Sequence, residues 1–187
     1  MIRRMSRDRF LSDDELERFL AAVRERRHVN RDRDYALFTL VVNTGIRPSE
    51  ALSLRACDVH LRGRRPWLRL SRAKLKHRPD PTNELELNVQ LAAAIRAHAD
   101  TVRGQDRLWP FSKRQAERLF LYYATKAGLS GFHLFSLRHT AGMRLYSGTR
   151  DVRLIQALMG HRRLKATNAY VHTSREDIRR ALETTNA

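Results

Sequence analysis

Apolar positions recur along most of this chain at helical spacing. Leu16, Phe19, Leu20 and Val23 stand three or four apart. They follow Ser12-Asp13-Asp14-Glu15, a capping-box pattern flanked by Leu11 and Leu16 as a hydrophobic staple. An amphipathic helix over about 13–27 is predicted. A basic break, Arg26 to Arg33, separates it from Tyr35, Leu37, Phe38, Leu40, Val41 and Val42. That second run is apolar on most sides, which predicts a buried helix, and Gly45 is placed to end it. Pro48 suits the first turn of a short third helix completed by Glu50 to Leu54. Further helices are predicted over Val89 to Val102, from the capping box Ser112–Gln115 to Gly128, over Leu137 to Tyr146 before Gly148, and over Asp151 to Met159 before Gly160. Lys165 to Tyr170 reads as a short helical segment. Ser174 caps a last helix, Arg175 to Thr184, whose Ile178 and Leu182 make it a candidate partner-binding element or a helix packed on its own domain.

Two segments break the helical period. Trp67-Leu68-Arg69-Leu70 and Glu84-Leu85-Glu86-Leu87 read as short strands, the second with clean alternation. Between them, Ser71 to Asn83 is basic and interrupted by Pro79 and Pro81, as in the tip of a long hairpin. The expected fold class is mainly α with a small antiparallel β-sheet (α+β). Residues 1–10 form a basic tail and 11–187 a single domain, without repeats or low-complexity linkers.

Composition then narrows the partner. Among 187 residues, 37 Lys plus Arg face 20 Asp plus Glu, a formal charge of +17. A spread basic surface suits a polyanion, with nucleic acid first, although a charged face also serves solubility alone. Cys57 is the only cysteine and cannot form an internal disulfide, and no Cys/His cluster has zinc spacing. No secretory signal and no bilayer-length apolar run is present in the sequence, so a cytoplasmic place is expected.

The chemistry sits in three short stretches: Thr44-Gly45-Ile46-Arg47-Pro48-Ser49-Glu50, then Leu137-Arg138-His139-Thr140, then Met159-Gly160-His161 with Tyr170 downstream. Breaking a phosphodiester by transesterification needs a nucleophile, charge on the non-bridging oxygens and an acid for the leaving oxygen. Arg47 and Arg138 suit the second task, because a guanidinium fork meets two oxygens and does not deprotonate. Each is expected to begin or enter a short helix after a turn, where free amides also face an anion. Glu50, three residues beyond Arg47, is spaced to hold that guanidinium. His161 follows the helix-ending Gly160 and could share a proton with phosphate or phenol. Tyr170 would be the nucleophile, its phenolate favoured by the cations around it. Taken singly, each has an ordinary structural role: surface arginine, helix-capping histidine, core tyrosine.

In this order and spacing the residues resemble the tyrosine recombinase, or phage integrase, family, over about Leu11 to Thr173. The resemblance implies a catalytic domain that cuts one DNA strand at a time through a 3′-phosphotyrosyl link. It implies no metal or other cofactor, double-stranded DNA as partner, and a homo-tetramer on paired DNA sites. Carried over, Arg47 and Arg138 match the phosphate-binding arginines, Tyr170 the nucleophile, His161 its supporting histidine and Glu50 the acid that steadies Arg47. The family's hairpin lysine, general acid to the 5′ oxygen, falls on Lys74, with Lys76 as rival.

Two departures stand out. Where the family has histidine three residues before the second arginine, this chain has Phe135; either His133, two residues earlier at the same turn, substitutes for it, or the site runs without that imidazole. Phenylalanine cannot transfer a proton, which admits a second reading, a DNA-binding regulator or decayed relative without strand transfer. The pattern also begins almost at once, as in short single-domain members that lack an N-terminal core-binding domain. His139 is expected to be buried structure.

Overall fold

The computed structural model describes residues 9–25, 30–70 and 84–160. The hairpin tip, the 165–170 segment and the last helix expected from sequence lie outside the described residues. Seven α-helices and three short strands are described: α1 (Asp13–Arg24), α2 (Arg31–Thr44), α3 (Pro48–Ala51), β1 (Val59–His60), β2 (Trp67–Arg69), β3 (Glu84–Glu86), α4 (Val89–Ala99), α5 (Lys113–Lys126), α6 (Leu134–Thr149) and α7 (Val152–Met159). The mostly helical architecture with a small antiparallel sheet agrees with the sequence reading.

α2 is the central helix, with α1, α4 and α6 packed around it. Its residues Ala36 to Val42 are all buried, as the all-round apolar run requires. It begins at Arg31, inside the supposed basic break, because Arg31 and Arg33 can extend outward while Asp34 turns in. The Asp34 carboxylate is fully buried, accepts from the Tyr123 hydroxyl at 2.7 Å and pairs with Arg33 at 2.8 Å. Burial of a charge is tolerated here because it is hydrogen-bonded and paired.

Around α2 the core is aromatic. Phe19 of α1 packs on Phe38 and Phe120 with ring centroids 5.2 and 5.0 Å apart, and Phe38 meets Tyr123 edge-on at 5.9 Å. Trp109 is fully buried and its indole N–H donates to the Arg33 carbonyl at 2.9 Å. His98, at the end of α4, donates through Nε2 to the Leu108 carbonyl, 2.6 Å away. Burial lowers its pKa, and the nearby Arg33 charge pushes in the same direction.

The sheet has strand order β1-β2-β3, all antiparallel. Leu68 pairs with Val59 on one side and Leu85 on the other, so the inward side chains share a register. β2 and β3 are the strands expected from alternation. β1, two residues long, gave no readable period and was missed.

Helix ends explain the other differences. α3 stops at Ala51, since the next amides close i→i+3 bonds: Ser53 N–H to Glu50 and Leu54 N–H to Ala51. α6 begins three residues before the expected Leu137. The His133 N–H donates to Ser136 Oγ (3.2 Å), and the Leu134 N–H donates to the Glu117 carboxylate (3.1 Å). These contacts supply acceptors that the first turn of a helix otherwise lacks. Gly148 does not stop α6; a glycine lowers helix stability but ends a helix only when the backbone turns left-handed. That turn falls two residues later, on Arg150 at φ 54°.

Candidate active site

Arg47 is the N-cap residue of α3. One carboxylate fixes both its ends. Glu50 Oε2 accepts from the Arg47 backbone N–H and Oε1 from its Nη1, each at 2.8 Å. The expected Arg47–Glu50 pair is therefore present, and it is more than a surface contact, because the Glu50 side chain is only 11% exposed. The remaining end of the fork, Nη2, donates to the Gly160 carbonyl at 3.1 Å.

Arg138 lies in the second turn of α6 and is 1% exposed. Its Nη1 donates to the Gly45 carbonyl at 2.5 Å and its Nη2 to the Met159 carbonyl at 2.7 Å. Two residues distant in sequence thus converge on consecutive carbonyls, Met159 and Gly160. Gly45 ends α2 with φ 68°, and Gly160 ends α7 with φ 61°. The carboxyl ends of two helices therefore point at one guanidinium, and each carries a partial negative charge of roughly half an electron. This is how a cation is accommodated in the interior at that point.

The placement corrects the sequence reading in one respect. Arg138 is inside a helix, five positions in, so no set of free first-turn amides accompanies it. The nearby helix ends are C-terminal and face the cation, instead of N-terminal ends facing an anion. Gly45 has a further task, beyond the helix stop that its place in the sequence signals. A Cβ there would stand 3.3 Å from Met159 Cγ and 3.4 Å from Ala141 Cβ. Gly45 thus lets α2 approach α6 and α7 closely enough for Arg138 to reach both carbonyls.

The ring beside the Arg138 guanidinium is Phe135, one helical turn earlier, with its centroid 5.8 Å from Cζ. Phe135 is 40% exposed. His139 packs edge-on against it at 5.1 Å and is half-buried, less enclosed than expected. His133, the N-cap of α6, is half-buried ahead of the first turn. The structure thus assembles Arg47, Glu50 and Arg138, with Phe135 at their side. Lys74, Lys76, His161 and Tyr170 lie outside the described residues. The arginines hold the last residues of α7, the helix that leads into His161.

The sequence pattern of the phage integrase family matches residues 9–177. The chain belongs to the phage integrase family. It is 30% identical to tyrosine recombinase XerD of Corynebacterium glutamicum over 156 residues, 79% of this chain and 50% of that protein. It is 32% identical to tyrosine recombinase XerC of Neisseria meningitidis serogroup B over 159 residues, again 79% and 50%. The chain therefore spans about half the length of these curated relatives. Its fold is shared with the XerH site-specific recombinase bound to palindromic difH substrate, with TM-score 0.76 and 21% identity, covering 97% of this chain and 54% of that one. It is shared also with the catalytic domain of bacteriophage HP1 integrase, with TM-score 0.64 and 19% identity, covering 94% of each chain. No described helix is long and apolar enough to cross a membrane.

Proposed function

We propose that this chain is the strand-cutting and rejoining unit of a site-specific DNA recombinase. The observation that carries this reading is the meeting of Arg47 and Arg138 at the carboxyl end of α7 in a member of the phage integrase family. Two guanidinium groups held on the consecutive carbonyls of Met159 and Gly160 can charge-neutralise one phosphate between them, and a net +17 chain draws in the duplex that carries it.

In this mechanism Tyr170 attacks the phosphorus and its oxygen becomes ester-linked to the 3′ phosphate, while the P–O5′ bond breaks. Lys74, with Lys76 as alternative, gives a proton to the departing 5′ oxygen. Arg47, steadied by Glu50, and Arg138 balance the charge that develops on the non-bridging oxygens, where electrostatic stabilisation has its largest effect. His161 assists the phenol, and either His133 substitutes for the imidazole absent at Phe135 or the site runs without it. A 5′ hydroxyl from a second duplex then reverses the step. No metal or nucleotide enters this scheme. The residues 11–187 act as one catalytic unit on double-stranded DNA, in a tetramer holding two sites, with the protein located at the nucleoid in the cytoplasm.

Arg138 is enclosed in the structure described, so a phosphate that reaches it must draw donors from neighbouring carbonyls. The exchange replaces neutral carbonyl acceptors with an anion, so that donor and acceptor both carry charge. The Phe135 substitution favours a second reading, a DNA-binding protein that does not transfer strands.

One experiment separates the two. The chain is incubated with DNA flanking its own coding sequence, denatured, and the DNA ends attached to protein are sequenced. Discrete attached 3′ ends that disappear in Tyr170→Phe, with DNA binding retained, are expected. Tight binding with no attached ends would establish the second reading.

A further inference from the structure

Phe135 is the one large apolar side chain that the described structure leaves well exposed beside the arginine pair. It is 40% exposed, mounted on the first turns of α6, and braced edge-on by the His139 ring at 5.1 Å. A helix-borne aromatic ring braced in this way is a rigid surface, since only two side-chain torsions define it. Positions 135 and 138 share a helix face, and the ring centroid stands 5.8 Å from the Arg138 guanidinium carbon.

Arg138 does not need Phe135 to hold it. Two carbonyls already fix its fork at 2.5 and 2.7 Å. The ring therefore has a face to offer to something else. A phosphate on that guanidinium lies one hydrogen-bond length from it, and the ester-linked sugar lies one bond further. A sugar esterified to such a phosphate on the Phe135 side of the guanidinium would meet the ring. A base edge asks for donors and acceptors, which phenylalanine lacks. The C–H face of a deoxyribose asks only for an apolar surface.

We propose that Phe135 is a substrate-positioning residue that packs against the deoxyribose adjoining the cleaved phosphate and selects a sugar without a 2′ substituent. This rests on the reading of Arg138 as a phosphate-binding residue. The ring contributes contact and water exclusion, with no proton transfer. A polar 2′ group pressed on it would lose its water partners without replacement, at about 1–3 kcal/mol, and a bulky one would clash.

The test is a bump-and-hole pair. The DNA site recovered as above is made with a single 2′-O-methyl nucleotide on one side, or the other, of the cleaved bond. That group adds bulk and cannot itself attack the phosphate. Rates of covalent attachment are measured for the wild-type chain and for Phe135→Ala, with Phe135→Tyr as the conservative control. At one of the two positions the methyl group should slow the wild-type chain and Phe135→Tyr at least tenfold, and Phe135→Ala less than threefold. Equal slowing of wild type and Phe135→Ala at both positions overturns the proposal while the recombinase reading stands. Absence of attachment by the wild-type chain on every DNA overturns both.

Discussion

The aromatic core and the arginine corner are held by different physics. Around α2, Phe19, Phe38, Phe120, Tyr123 and Trp109 interlock with almost no exposure. At the corner, α7 places Ile155 and Met159 in a small cluster with Met143, Leu145 and Tyr146 of α6 and packs Leu158 on the main core. Its end is fastened in addition by Arg47 and Arg138 to the α2–α3 turn. Hydrophobic burial is non-directional and tolerates displacement, whereas a forked donor on two carbonyls fixes position. The core supplies stability, and the corner supplies geometry.

That division is open to attack from both sides. The largest effect on folding is expected from Phe120→Ala, which deletes a fully buried ring packed on Phe19 and Phe38. It should cost about 3–5 kcal/mol in urea unfolding, yet leave DNA attachment per folded molecule unchanged. Loss of attachment in the folded fraction would show that the core shapes the site. Arg138→Ala should act the other way. It strands the Gly45 and Met159 carbonyls and should cost about 1–3 kcal/mol of stability, while attachment falls at least a hundredfold and DNA affinity changes less. Equal falls in rate and affinity would make Arg138 a binding residue only.

Gly45→Ala probes the contact between the two regions. A left-handed backbone costs about 1–2 kcal/mol for a residue with a Cβ, and the added carbon crowds Met159 and Ala141. Faster hydrogen exchange in α7 than in α2 should accompany it, whereas uniform acceleration would mean the two regions unfold together. The smallest effect concerns His98. Because burial depresses its pKa in the folded chain, the unfolded chain binds more protons as the solution is acidified. The stability it contributes is complete above about pH 6.5, the ordinary histidine value, and is lost as pH falls through the folded value. His98→Gln, which keeps a donor for Leu108, should flatten the dependence of the unfolding midpoint between neutral and mildly acid pH.

The two regions were also unequally legible. Leu16, Phe19 and Val23, and the apolar run of α2, announced their burial through spacing alone, because a helix repeats its contacts every turn. The Ser12 and Ser112 capping boxes placed two helix starts correctly, since each is a local hydrogen-bond pattern. The residue types of the corner were visible too: Arg47, Glu50, Arg138 and Gly160 were all singled out. What could not be read was how they are satisfied. Arg138 is held by backbone carbonyls, which leave no trace in a sequence, and α6 begins early because Glu117 of another helix receives the Leu134 amide. Tertiary acceptors of that kind override local start signals. The surroundings of Tyr170, His161 and Lys74 lie beyond the described residues, so their roles stand on the family resemblance.

The two indoles are placed very differently. Trp109 is sealed in the core, while Trp67 on β2 lies flat against His60, ring centroids 3.8 Å apart and 16° from parallel. Emission from the first reports whether the helices are assembled. Emission from the second is open to quenching by the imidazole above it. The chain thus carries a native fluorophore on the central strand of its sheet, so a change in that sheet can be followed optically without attaching a dye.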